Sequence, residues 1–484
     1  MLRKCVVWWM TILLTLACAL TACAESVTVH ALVNLPKSVK LTFEQEHPGV
    51  KLADDVAYID AVSADQLIGQ FLTGTCNLDL FTVNTAYFDV KQLMRKGYCL
   101  DLSDEPELAA QVQQMWPMIA EQLMVDGKLY AVPVVSQFNC VMAQQETFER
   151  LGFDETDVPQ TFSELLDFLE AWIIRMEDEP ENIGVFGAWD EEYYRIHKEA
   201  YAIQLTTMLL EQVMLQCQYA KKDIHFDMEE LPALLERARE IGLSLHEIEP
   251  VYINGRPILF DIYASFDFWS DAEQWQVGLK LHENQPKLVE GSLALAMGRA
   301  DTQAPQAVKE LLALQLANLP REHDKAFFYQ DAGPIEAAQY TAERTYIQAL
   351  IHVVDGTMQN PHATMEDCVP EFAALTAQQQ ESVQTWYQEM HSDYDEEAMQ
   401  AQLARWKQKL ENETGRWAVS PAAWRAYAAC ADRLFFPAPT QFSAGDGLTN
   451  FRTLIKRFAC GQITGTQLVQ TLNHIQQMMQ QEAQ

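Results

Sequence analysis

The chain has 484 residues, with 34 basic against 68 acidic side chains and a formal net charge of −34. So acidic a body is repelled by nucleic acid and by anionic lipid, which excludes functions that rest on a basic binding surface. The length allows two or three domains with cores of their own.

The first 26 residues read as an export signal. Arg3 and Lys4 are followed by no charge until Glu25, and Cys5 to Leu20 is apolar. That run of about 16 residues is shorter than the roughly 20 a spanning helix needs, and it ends in small residues as a cleavage site does. Leu20-Thr21-Ala22-Cys23 resembles the bacterial lipobox, whose cysteine carries a diacylglycerol and becomes the mature N-terminus. The rival Thr15-Leu16-Ala17-Cys18 would leave apolar sequence behind after cleavage. An uncleaved anchor with an incidental cysteine is the alternative. The expectation is a signal peptide over 1–22, lipid attachment at Cys23, and a body on the outer face of the cell membrane, held there by its acyl chains. The seven later cysteines are odd in number and widely spaced, with no C-x-x-C, so neither a disulfide framework nor a zinc site is indicated. Most are expected to be small buried hydrophobes, and one disulfide stays open.

In chain order, Ser26 to Val33 alternates and predicts a strand, Lys37 to Glu46 a helix, and Val50 to Tyr58 a second strand. Ser63 to Leu72 predicts a helix, Leu78 to Val83 a third strand, and Ala86 to Lys96 a further helix. Strand alternating with helix at this spacing argues for βαβ units and a mostly parallel sheet. Val125 to Val132 predicts a hairpin around Asp126-Gly127. Pro159 to Trp172 is a helix with a capping box, Thr161 and Glu164, and an apolar stripe. Ile183 to Phe186 predicts a strand, residues 191–220 and 229–242 predict helices, and Val251 to Tyr263 predicts β-rich runs around a turn. From about Pro305 the chain is helical, and Thr464 and Gln467 cap its last helix.

Several segments in order resemble the extracellular solute-binding proteins of bacterial ABC importers, above all those that bind sugars. Leu78-Asp79-Leu80-Phe81 and Gly97-Tyr98-Cys99-Leu100-Asp101-Leu102 are similar to one family stretch. Gly127-Lys128-Leu129-Tyr130-Ala131-Val132-Pro133 is similar to the family hairpin "G-K-x-Y-(A/G)-(V/I)-P". Phe148, Gly152, Pro159, Thr161, Glu164 and Leu165 fit its "F-x-x-x-G … P-x-T-x-x-E-L". Ala304 to Val308 and Gly461 to Thr464 resemble later helix starts. Ala143-Gln144-Gln145 departs from the usual "Y-N-K". The resemblance implies an α/β, periplasmic-binding-protein-like fold of two α/β lobes with hinge segments near Pro133 and residue 285. It divides the chain into lobe 1 (23–133), lobe 2 (134–285), a return to lobe 1 (286–360) and a helix-rich C-terminal part, mostly lobe 2 (361–484).

Sugar recognition needs planar hydrogen-bonding groups and aromatic faces, presented from loops at the carboxyl ends of strands. That points to Asn34, Tyr58, Asn84, Thr85, Gln137 and Asn139 as ligand-binding residues, against the ordinary alternative of turn or helix capping. Trp189, Phe266 and Trp269 are the stacking candidates, against core packing; Trp116 and Trp424 read as core. Tyr193-Tyr194 resembles a ferric-ion tyrosine pair but lies among acids at a helix start, and the Asp393 to Glu397 tract lacks the glycine and spacing of a calcium loop. No metal and no cofactor are expected. H-E-x-x-H, G-x-S-x-G and phosphate-loop patterns do not occur, so no enzyme is predicted. The reading is a monomeric, lipid-anchored protein that captures a small solute, favoured to be a sugar or oligosaccharide, for an ABC permease. A ligand sensor for a membrane receptor kinase and a surface glycan hydrolase are the alternatives.

Overall fold

The computed structural model describes residues 27–31, 35, 37–54, 67, 69–71, 73–178, 182–187, 194, 196–248, 257–262, 273–360, 362, 364–392, 396–411, 416–443 and 445–482. The leader with Cys23, Asn34, Tyr58, most of the 63–72 helix, Trp189, Tyr193, the 251–256 turn, Phe266, Trp269 and Asp393 lie outside the described residues.

Fourteen strands are described. In chain order they are β1 (Val27–Ala31), β2 (Val50–Asp54), β3 (Leu80–Asn84), β4 (Met124–Val125), β5 (Lys128–Leu129), β6 (Ala131–Asn139) and β7 (Val141–Gln144). Next come β8 (Gly184–Phe186), β9 (Ile258–Ile262), β10 (Gln274–Gln276), β11 (Val289–Gly298), β12 (Ile335–Glu336), β13 (Trp417–Val419) and β14 (Leu434–Phe435). The first sheet runs β14-β11-β3-β1-β2, with β6 also on β11. Its outer pairs β1–β2 and β1–β3 are parallel, as the alternation of strand and helix predicts. The long β11 runs antiparallel to both β3 and β6, so the sheet is mixed. Neither β6 in its full length nor β11 is legible as a strand from alternation, because both faces of their middle residues are buried. The second sheet runs β10-β7-β9-β8.

Two large apolar cores form on these sheets. The first gathers Val29, Phe43, Phe81, Val83, Leu129, Val132, Leu295 and Leu311. The second gathers the stripe Phe162, Leu165, Leu166, Leu169 and Trp172, together with Leu209, Leu235, Phe260, Phe458 and Leu472. Helix Phe162–Asp178 starts where predicted: the Glu164 N–H donates to Thr161 Oγ1 at 3.2 Å, and the Thr161 N–H donates back to Glu164 Oε2 at 3.3 Å. The last helix, Gly465–Glu482, repeats the device with Thr464 and Gln467. The Asp126-Gly127 turn takes φ of 51° and 77°, the left-handed pair that a tight hairpin requires.

The cores are joined by strands that pass from one to the other. β6 begins in the first core with Ala131 and Val132, and β7 resumes in the second with Val141 and Ala143. β11 makes the return crossing and β14 lies parallel to its start, pairing Leu434 with Val289. A smaller cluster fills the crossing itself, with Phe138, Met142, Val289, Phe327, Tyr427 and Leu434. The β6–β11 register shifts where Ala294 pairs with Val135 and Leu295 with Pro133, a bulge beside a residue that has no N–H to give. Asp324, 0% exposed, accepts from both the N–H and Oγ of Ser136 at 2.8 Å and from Arg321 Nε at 2.7 Å, fixing the strand just past that bulge.

A fourth cluster belongs to the helices Ala338–Gln359, Met365–Cys368, Ala377–Ser392 and Glu396–Glu411, with Trp386 edge-on to Trp406. The seven described cysteines are all free, six buried and Cys460 exposed. Among the described residues no helix is long and apolar enough to cross a membrane.

Candidate functional site

A cleft opens where the crossing strands pass between the two cores. The turn after β3 contributes Ala86 and Tyr87; the crossing strands contribute Asn139, Glu290, Gly291 and Ser292. Helix Ala200–Tyr219 contributes Glu211, Met214, Leu215 and Gln218, and helix Gly445–Ala459 contributes Phe451 and Arg452. A small second cavity shares Asn139, Glu211, Leu215 and Glu290 and continues along Gln276 of β10 and Val277 just after it.

The walls are fixed by side chains that bridge elements. Gln218 holds the stretch after β14, which runs beside these strands as a third crossing: its Nε2 donates to Ala438 O at 3.1 Å and its Oε1 accepts from the Ala438 N–H at 2.7 Å. Gln216 Nε2 donates to Pro286 O at 3.2 Å, just ahead of β11. Gly291 leaves room for Phe436, whose ring would lie 2.6 Å from a Cβ at that position.

Electrostatically the cleft is built on two carboxylates. Burial pushes Glu211 up to about 8, the nearby Glu290 carboxylate adds to this, and Arg452 opposes it. Burial also raises Glu290, against a hydrogen bond from Asn139 that favours its ionised form. Tyr87, 39% exposed, is the aromatic face at the mouth, whereas Phe442 and Phe451 are buried behind the wall with ring centroids 5.2 Å apart. Acceptors for hydroxyl protons beside an exposed aromatic ring form a surface on which a polyhydroxylated solute fits.

The residues singled out in the sequence separate here. Asn139 stands in the cleft wall, opposite Glu290 in the strand register. Asn84 caps its own turn, its Oδ1 accepting the Ala86 N–H at 2.8 Å. Thr85 is buried and ties β3 to β11: its N–H donates to Leu293 O, and its Oγ1 accepts the Leu293 N–H, both at 2.9 Å. It lines an adjoining cavity with Phe88 and Lys91. Gln137 is exposed on β6 opposite Ser292 and does not line the cleft. Trp116 and Trp424 pack together against the crossing cluster, 6.3 Å between ring centroids. Tyr194 donates to Gln204 Oε1 at 2.6 Å and packs on Tyr201. Tyr87, Glu211, Glu290 and Arg452 were not singled out in the sequence. The signal for Glu211 was available: it is the one charged residue in the 20-residue helix Ala200–Tyr219.

Residues 41–250, which supply strands of both sheets and helix Ala200–Tyr219, match the family of bacterial extracellular solute-binding proteins. No protein of curated function matches the chain by sequence. Among solved structures, this chain is similar to the putative binding protein MsmE of Bacillus subtilis in an open conformation. That likeness has 12% identity and a TM-score of 0.51, over 94% of this chain and 98% of the other. It is also similar to an ABC substrate-binding protein of Listeria monocytogenes in complex with cycloalternan (12% identity, TM-score 0.47, 94% and 98% covered). At such identity these likenesses concern the fold. The periplasmic-binding-protein-like α/β fold expected from the motifs is the fold observed.

Proposed function

We propose that this protein is a lipid-anchored, extracytoplasmic capture protein that binds a sugar or oligosaccharide in the cleft and delivers it to an ABC permease. The observation that carries the reading is a cleft walled by the turn after β3 of the first sheet, by helices that pack in the second core, and by β6, β11 and the stretch after β14. A ligand touching both walls favours approach of the two bodies, and closure of that kind is what a permease recognises. On this reading the two cores are the cores of two lobes, and β6, β11 and the stretch after β14 are the hinge. Tyr87 offers a stacking face, while Asn139, Ser292, Glu290 and Glu211 offer hydrogen-bonding groups. Cys23 would hold the body at the membrane and raise its concentration near the permease. The role is one of binding and release, without turnover.

The test is a thermal-shift and calorimetric screen of the purified protein against mono- and oligosaccharides, peptides, polyamines and metal ions. A ligand that binds only the native form must raise its melting temperature. A sugar is expected to do so, and Tyr87→Ala is expected to weaken that sugar roughly 10-fold, the worth of one lost stacking contact. If no sugar shifts the protein while a peptide or cation does, the carbohydrate assignment fails.

A further inference from the structure

A further cavity lies outside the cleft, along β10 at the edge of the second sheet. In the β7–β10 register Gln276 pairs with Met142 and Gln274 with Gln144, whereas Trp275 pairs with Ala143. Ala143 packs into the second core and Met142 into the crossing cluster. Gln274 and Gln276 therefore share the face that looks toward helix Pro421–Cys430. The cavity between them is bordered by Lys287 and Arg433, with the exposed Glu155 at its rim.

Two features of this cavity lack an explanation in the fold alone. Gln274 is 8% exposed, yet neither its Oε1 nor its Nε2 has a hydrogen-bond partner. Buried amides are nearly always paired, and an unpaired one opposes folding. Lys287 is half-buried and makes no ion pair among the described residues. The Arg433 guanidinium is held in place, donating to Ala429 O at 2.8 Å and to Cys430 Sγ at 3.1 Å. Its ion pair with Asp432 is long, 3.8 Å, and the Asp432 side chain is 85% exposed. Two cations thus border a cavity with an unpaired carboxamide in a chain of net charge −34.

We propose that this cavity is a binding site for a small oxyanion, a phosphate or a carboxylate, held by Lys287, Arg433 and the Gln274 amide. A planar guanidinium, an ammonium and an amide N–H are the donor set that such an anion takes. Burial, and then the like charges of Arg433 and Lys280, hold Lys287 below the usual lysine range, with Glu155 a weaker opposing charge. An anion between the cations removes that repulsion. The position gives the site a consequence for the hinge. Met142 follows the first crossing, Lys287 stands two residues before β11, and Arg433 directly precedes β14. An anion bound there ties the edge of the second sheet to the starts of both returning strands and stiffens the crossing.

The purified protein is titrated with sodium phosphate and, separately, with sodium citrate, at constant ionic strength set by sodium chloride. Melting temperature and amide hydrogen exchange are read. The expected result is a saturable rise in melting temperature with at least one anion, and slower exchange over 288–291 and 434–435. The arm that saturates at lower concentration identifies the source as phosphate or carboxylate. Lys287→Gln, at a half-exposed position, is expected to weaken the anion at least 10-fold. Gln274→Leu is expected to weaken it as well. No saturable rise with either anion overturns the proposal, as does an undiminished rise in Lys287→Gln. Stabilisation of anion-free protein by Gln274→Leu, with Lys287→Gln titrating as wild type, overturns it in favour of a packing defect. None of these outcomes depends on the solute bound in the cleft.

Discussion

Glu211 concentrates the chemistry of the cleft in one side chain. It is a lone acid on a helix with fourteen buried residues, placed beside a second carboxylate at Glu290. Its pKa, about 8 when folded against an ordinary 4.5, means that the folded chain holds a proton the unfolded chain has already lost. Stability therefore falls as pH rises from about 4.5 to about 8, by an amount on the order of a few kcal/mol. Glu211→Gln carries no such charge. Its melting temperature is expected to exceed that of the wild type at about pH 9, and the two are expected to converge near pH 5. A difference that stayed constant over that range would show that the buried charge is not its source. Asn84 is the converse case, because a residue type suited to ligand binding is engaged in its own turn.

At the scale of elements, helices Ala200–Tyr219 and Leu231–Ile248 pack so closely that a side chain has no room between them. A Cβ at Gly242 would stand 2.3 Å from Ala202 N and 2.5 Å from its Cα. Helix propensity alone favours Gly242→Ala by roughly 1 kcal/mol. Overpacking against rigid backbone costs about 1–3 kcal/mol and is the larger effect, because neither helix can yield locally. Gly242→Ala is expected to lower the midpoint of urea unfolding, and a raised midpoint would mean that the helices separate freely. The same helix pair carries Glu211 into the cleft and, through Gln216 and Gln218, holds two crossings, so its seating bears on the site as well as on stability.

Across the whole molecule, net charge opposes the compact state. With 68 acidic and 34 basic side chains, the folded body is more self-repelling than the expanded chain. Screening relieves this, since the Debye length shortens from roughly 20 Å to about 6 Å as salt rises from about 20 to about 300 mM. The melting temperature is expected to climb with sodium chloride over that range. A flat or falling response would mean that attractive ion pairs, such as Arg237 with Asp167 and Glu170, outweigh the net repulsion.

Local signals in the sequence were enough for the first strands, the Asp126-Gly127 hairpin, the Thr161–Glu164 and Thr464–Gln467 caps and the apolar stripe of helix Phe162–Asp178. Each depends on neighbours within a few positions, where steric and hydrogen-bonding rules act without the rest of the chain. The family motifs added the fold. Asn139, chosen because it follows the hinge-like Pro133, lines the cleft; Gln137, chosen on the same ground, and Asn84, chosen at the end of a strand, do not. Such rules name a place along the chain but not which face the side chain takes. Glu211 meets Glu290 across 79 positions, and Lys287 meets Arg433 across 146, because separate strands return to one crossing. The sequence by itself determined the locally encoded elements: the first strands, the tight hairpin and the capped helices. Only the tertiary structure decided which charges share a cavity, because strand pairing and helix packing, not spacing along the chain, set those distances.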